Sequence, residues 1–344
     1  MALADRTLEL VNIPSESGSE ALLHDYVESC VTLGTAFSDG ESAIYAKRAG
    51  KPLVLLAGHT DTVPAQDNLP GRIEDGFVVG LGASDMKGGL AVMIELGRWA
   101  AGTELAYDLA LLFFPREELG PAQNPLPGVF ANSSLVDEAQ LVVCLEPTDN
   151  TLQLGCLGNL NARVVYDGRS AHSARPWLGV NAIALALERL APVLTAEPRD
   201  VEVEGLVFRE VISVTELHAG IASNVIPARA EATLNFRYAP GRTPESAEAR
   251  IREIAGEVEI LSNSPPAHVA LRSPLVEELR AAGAFEVQPK QAWTNVADFA
   301  ARGLDAVNLG PGATRYAHAV DERVEIAELE QTFAALQRFL TGTV

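Results

Sequence analysis

Apolar residues recur at helical spacing over residues 1–12 and 19–31, and the turn-forming run Pro14-Ser-Glu-Ser-Gly18 separates the two stretches. Short, continuous apolar runs follow at 53–57, 109–114 and 141–145. Runs of this length without alternation suit strands covered on both faces, and the pattern over 86–101 predicts a helix between the first two. Such strands interleaved with helices predict an α/β domain whose central sheet is covered by helices on both sides.

After Gly158 the pattern changes. Residues 161–166 and 230–238 alternate apolar with polar, as half-exposed strands do, while 181–194 and 244–254 carry helical spacing. Two helices on one face of an antiparallel sheet form the simplest assembly of these pieces. The polar run Ser262-Asn-Ser-Pro-Pro-Ala267 reads as the exit from this segment. A helix over 297–302, a strand over 306–309 and a helix over 326–340 then return to the earlier style. The expected organisation is a discontinuous larger domain, 1–159 with 267–344, into which a smaller α+β domain, 160–266, is inserted. A chain of 344 residues is long enough for two cores. No internal repeat or low-complexity tract interrupts it, and no apolar run approaches the ~20 residues that span a bilayer.

Composition narrows the function. A formal net charge of −20 argues against a nucleic-acid partner, whose phosphates need a basic surface. An anionic substrate must then be met by a few local arginines, against the overall field. The start Met1-Ala-Leu-Ala-Asp-Arg6 lacks the basic and apolar pattern of a signal peptide, so the cytoplasm is the expected location. Cys30, Cys144 and Cys156 show no Cys-x-x-Cys spacing and read as reduced, buried thiols.

Candidate chemistry stands directly after the apolar runs. His59 and Asp61 follow the first, Glu117 and Glu118 the second, and Glu146 the third; Asp85 precedes the helix that begins near Gly88-Gly89. Singly, each has an ordinary reading: a satisfied histidine, a solvated acidic pair, a helix cap. Together they occupy the carboxyl ends of strands in an open α/β sheet, where ligands bind. Carboxylates converging there repel one another unless a cation joins them. Imidazole with carboxylate and no thiolate suits zinc, cobalt or manganese. The Gly88-Gly89 pair would permit close backbone approach beside such a site.

At these residues the chain resembles the two-zinc carboxypeptidase, aminoacylase and deacylase family. His59-Thr-Asp-Thr-Val-Pro64, Gly82-Ala-Ser-Asp-Met-Lys-Gly-Gly89, Glu117-Glu118, Glu146-Pro147 and His318 match that family's motifs in order, and the likeness spans nearly the whole chain. Gly155-Cys-Leu-Gly158, Ser170-Ala-His-Ser-Ala-Arg-Pro-Trp177 and Asn308-Leu-Gly-Pro-Gly312 resemble its succinyl-diaminopimelate desuccinylases in particular. The resemblance implies a zinc-aminopeptidase-like α/β/α catalytic domain and an inserted domain that mediates a homodimer. It implies two divalent metal ions, zinc first and cobalt as the alternative. Asp85 would bridge them, with His59 and Glu146 on one ion and Glu118 and His318 on the other. Asp61 would orient His59, and Glu117 would be the general base. His172 would stabilise the oxyanion in the partner subunit's site, with Asn224 as a companion. A cis peptide between Asp85 and Met86 is also implied.

For the substrate, an N-acyl amino acid, Arg175 and Arg237 are candidate carboxylate grips, because a guanidinium offers two parallel donors. The Gly312 backbone N–H is a further candidate. The expected reaction is hydrolysis of N-succinyl-L,L-2,6-diaminopimelate. An acetylornithine, acetyl-lysine or other N-acyl-amino-acid deacylase, or a carboxypeptidase, is the alternative within the family, and a non-catalytic binding protein on this fold the alternative outside it. The chain departs from the family pattern at Arg116, where relatives often carry an acid, and at Pro121-Ala-Gln-Asn-Pro-Leu-Pro127, which replaces a glycine-rich continuation.

Overall fold

A computed structural model describes residues 1–343, and its contacts divide the chain into two compact units. The larger comprises residues 1–155, 270–288 and 298–344, the smaller 156–269 and 289–297. Residues 289–297, which the sequence placed with the larger domain, therefore group with the smaller one.

The larger unit is built on an eight-stranded mixed sheet. Its centre is a parallel run in the order Asp108–Phe114, Leu53–His59, Ala139–Cys144 and Ala306–Asn308. Every residue of Leu53–His59 and Asp108–Phe114 is buried, so both faces of the sheet are covered, as the uninterrupted apolar runs require. Ala43–Lys47 and Gly34–Ser38 extend the sheet antiparallel on one side. Helices Leu3–Val11, Gly88–Ala101, Pro274–Gly283 and Ile326–Thr341 pack against one another. The helix predicted from residue 86 begins at Gly88, because Asp85 (φ −120°) and Met86 (φ −131°) hold non-helical backbone. The Asp85–Met86 peptide is cis.

The smaller unit is a five-stranded antiparallel sheet in the order Arg199–Val203, Leu206–Ala219, Arg229–Tyr238, Gly158–Asp167, Glu259–Ser264. Burial alternates along both Gly158–Asp167 and Arg229–Tyr238. The buried set, Leu160, Ala162, Val164, Leu234 and Phe236 among them, packs on Ala186, Leu190 and Ile251 of helices Ala182–Leu194 and Pro244–Ala255. Those helices begin where Asn181 and Thr243 side chains accept backbone N–H groups of the first turn. Ser262–Ser264, expected to leave the domain, instead completes the edge strand: Ser262 pairs with Asn161 and Ser264 with Asn159.

All three cysteines are buried, and none forms a disulfide. Among the described residues no helix is long and apolar enough to cross a membrane. Leu234 is fully buried between sheet and helices. Leu234→Ala should cost about 2–5 kcal/mol through lost burial and the cavity left behind. The check is the shift of the urea-unfolding transition; a shift under about 0.5 kcal/mol, the range of neutral surface substitutions, would contradict this packing.

Candidate active site

The parallel strands end side by side, and their polar successors share one crevice of the larger unit. His59 is the last residue of its strand, 1% exposed, and its ring is held at both nitrogens. Nδ1 lies 3.1 Å from the Asp61 carbonyl oxygen and 3.3 Å from Asp61 Oδ1, while Nε2 lies 3.1 Å from Asp85 Oδ1. Burial alone would lower the imidazole's proton affinity, but hydrogen bonds to Asp61 and Asp85 raise it well above the ordinary range.

Asp61 does more than face His59. Its Oδ1 accepts the Glu117 N–H (2.9 Å), and its Oδ2 accepts the Glu118 N–H (3.1 Å) and the Ser17 hydroxyl (2.7 Å). Burial works against the Asp61 charge, yet His59 and these donors hold its carboxyl down at about 2. One carboxylate therefore fixes both the histidine and the loop that carries the two glutamates.

Ligand-type atoms of His59, Asp85 and Glu146 lie within 4.8 Å of one another, as do those of Asp85, Glu118 and His318, and those of His59, Glu117 and Glu118. Asp85 belongs to two of these groups, so its carboxylate stands between His59 and His318. His318 Nε2 is 2.8 Å from Glu118 Oε1 and 3.7 Å from Asp85 Oδ2. Its hydrogen bond to Glu118, opposed by partial burial, raises the imidazole to about 9. Glu117 keeps part of its surface open, but burial among protein atoms holds its carboxyl well above the usual range. The nearby Glu146, Glu118 and Asp85 charges add to that rise, and His59 opposes it.

This donor set fits divalent cations. Four carboxylates and two imidazoles converge with no thiolate among them, and the mutual repulsion that raises Glu117 is relieved by added positive charge. With cations present, the ligating groups stay deprotonated and the local proton affinities fall. Close packing supports the cluster from behind. A Cβ at Gly89 would lie 2.4 Å from the Leu145 carbonyl oxygen, beside Glu146, so only glycine lets the helix approach that strand end.

The other expected site residues lie in the smaller unit, except Gly312. Ala171–His172 pairs with Val225–Ile226, and the Ser173 N–H donates to the Asn224 carbonyl oxygen, so His172 and Asn224 share one exposed strip. His172 Nδ1 accepts the Ala174 N–H (3.1 Å), which in the neutral ring leaves the proton on Nε2. Arg175, three residues after His172, is exposed. Arg237 donates to Asn235 Oδ1 (2.9 Å) and lines a cavity of about 310 Å³ with Leu157, Asp200, Arg209 and Gln291. Burial lowers its proton affinity.

The reading of Gly312 needs correction. Its N–H donates to Glu328 Oε2 (2.7 Å), and the Gly310 N–H donates to Thr148 Oγ1 (3.1 Å), so neither is offered to a substrate carboxylate. Gly312 is glycine because its φ is +88° and a Cβ would meet Ser84 Oγ at 2.5 Å. Arg116 pairs with Glu41 at 2.7 Å. Sequence reasoning missed Ser17, Glu328 and Glu322, the last accepting three backbone N–H groups around Asp85. The one available signal was position: Glu322 stands four residues after His318.

The chain is 36% identical over 348 residues to a putative succinyl-diaminopimelate desuccinylase of Mycobacterium tuberculosis, covering 98% of this chain and 97% of that protein. It is 34% identical over 353 residues to the succinyl-diaminopimelate desuccinylase of Corynebacterium glutamicum, covering 97% and 95%. Among solved structures, aminopeptidase PepT from Bacillus cereus matches with a TM-score of 0.79 over 99% of this chain and 98% of its own, at 21% identity, which speaks to the fold. Residues 55–342, a span that takes in every member of the acid–histidine cluster, match the profile of peptidase family M20/M25/M40, and the chain belongs to that family.

Proposed function

We propose that this protein is a metal-dependent hydrolase of linear amides whose substrate is N-succinyl-L,L-2,6-diaminopimelate, with succinate and L,L-2,6-diaminopimelate as products. The observation that carries the hydrolase reading is the pair of ligand groups sharing Asp85, with Glu117 beside them. The choice of substrate is supported by near-full-length likeness to the two desuccinylases named above.

In this reading His59, Asp85 and Glu146 hold one divalent ion and Asp85, Glu118 and His318 the other, zinc first and cobalt as the alternative. The bound ions supply Lewis acidity toward the substrate carbonyl and the attacking water. Glu117 accepts a proton from that water as its oxygen attacks the carbonyl carbon. It then delivers the proton to the amide nitrogen as the C–N bond breaks, and the carboxylic acid so formed loses its remaining proton to the departing amine, giving a carboxylate and an ammonium. Asp61 keeps the base in place through the Glu117 N–H and orients the His59 ring.

The remaining roles fall to the smaller unit. His172, with its Nε2 proton available, donates to the oxyanion in the partner subunit's site, with Asn224 beside it. Arg175 and Arg237 are the candidates for the substrate's carboxylates. A homodimer through the smaller unit is supported by its exposed apolar side chains, Trp177, Leu178, Ile183, Leu187 and Ile221 among them. A cytoplasmic location follows from the reaction proposed.

Three experiments test this reading. The metal-loaded protein should turn over succinyl-diaminopimelate with a higher kcat/KM than acetylornithine or acetyl-lysine. Glu117→Gln should lower kcat by about 10²–10⁴-fold while metal content stays unchanged, because Glu117 is assigned no ion. A preference for an acetyl substrate would move the assignment within the family, and loss of both metals in Glu117→Gln would reassign the base. The third concerns the shared site. If His172 acts across the dimer, mixing the inactive His172→Ala and Glu117→Gln proteins places both defects in one cleft of each heterodimer. The other cleft is then intact, and about half of the activity should return per mixed dimer. Absence of recovery after verified subunit exchange would rule out action in trans.

A further inference from the structure

Glu322 is 1% exposed, and its carboxylate has no ion-pair partner within 4.0 Å among the described residues. Its charge is met by backbone instead. Oε2 accepts the Gly82 N–H (2.9 Å), and Oε1 accepts the Ser84 (3.1 Å) and Asp85 (2.9 Å) N–H groups. Lys87, buried nearby, donates to the Ile13 carbonyl oxygen rather than to Glu322. The main chain of Glu322 adds two ties. Its carbonyl oxygen accepts the Gly80 N–H (2.9 Å), and its N–H donates to Ala319 (3.2 Å). The segment that ends at Glu322 begins at His318, whose backbone is left-handed (φ +61°) and whose carbonyl oxygen accepts Gln66 Nε2 (3.1 Å). Glu322 thus joins the loop that presents Asp85 to the turn that presents His318, two segments more than two hundred residues apart in sequence.

A buried carboxylate is a costly way to close a loop if closure is all that is needed. What the charge adds is its place. It accepts the N–H of Asp85 itself, the residue shared by both ligand groups, and three N–H dipoles point at it. We propose that Glu322 is a positioning residue for the cation pair, fixing Asp85 against His318 and strengthening the hold on the ions through its negative charge. The proposal rests on the reading that Asp85 and His318 bind divalent ions.

The test is a titration of metal-free protein with Co²⁺, followed by calorimetry and by the visible absorption of the bound ion. Wild type, Glu322→Gln, Glu322→Asp and Glu210→Gln are compared. Glutamine keeps the shape but offers one acceptor oxygen, turns an amide toward a donor N–H, and carries no charge. Glu210, a buried carboxylate in the smaller unit that pairs with Arg242 and accepts the Ala239 N–H, controls for the general effect of losing a buried charge. Wild type should take two equivalents. Glu322→Gln should bind about 10–100-fold more weakly with an altered spectrum, the range seen when groups behind metal ligands are changed. Glu322→Asp, which keeps the charge on a shorter arm, should lose part of the affinity, and Glu210→Gln none. Wild-type affinity and spectrum in Glu322→Gln would overturn the proposal, whatever happens to its stability. If that variant does not fold, wild-type affinity in Glu322→Asp overturns it equally. Failure of the wild type to take a second ion would reject the two-ion reading itself, and the proposal with it.

Discussion

Carboxylates brought together at the ends of buried strands dominate this structure. Asp85, Glu117, Glu118 and Glu146 crowd one crevice, where burial first and the neighbouring carboxylates second raise the proton affinity of Glu117. Two responses are open to such a cluster: protons or cations. The two imidazoles favour cations, because His59 and His318 stand at opposite oxygens of Asp85 and offer nitrogen donors that a proton-sharing acid cluster does not require.

Much of the surrounding architecture serves to hold those groups against their repulsion. The strand carrying His59 is buried throughout, which removes freedom from the histidine backbone. The Asp61 carboxylate faces the His59 ring and accepts the Glu117 and Glu118 N–H groups and the Ser17 hydroxyl, so that one side chain ties two strand ends to the loop between the first two helices. Gly89 lets the helix after Asp85 close onto Leu145, and Gly312 lets the loop near His318 close onto Ser84. These are contacts of backbone with backbone or with short side chains, which are hard to deform. The chemistry is carried by flexible acids, and its geometry by groups that cannot move far.

What the sequence revealed follows the same division. Strands covered on both faces leave continuous apolar runs, so Leu53–His59, Asp108–Phe114 and Ala139–Cys144 were legible, and so were the polar residues just beyond them. The alternation of Arg229–Tyr238 was legible because one face meets two helices. Edge strands were not. Gly34–Ser38 is largely exposed, and the outer half of Leu206–Ala219 has little buried surface, so neither imposes a pattern. Ser262–Ser264 was misread because serine and asparagine suit a turn as well as an edge. Single residues that accept backbone N–H groups were also illegible: Glu322 beside Asp321, or Glu328 at the start of a helix, looks like a solvated acid until the fold delivers the donors. Gly312 erred in the opposite direction, since its N–H is consumed by Glu328.

The proposed reaction depends on the shared role of Asp85. The most direct measurement is anomalous diffraction at the cobalt edge from crystals of the cobalt-loaded protein. Two peaks per chain are predicted, one among His59, Asp85 and Glu146 and one among Asp85, Glu118 and His318, roughly 3.5–4 Å apart. A single peak, or two peaks that do not share Asp85, would contradict the account.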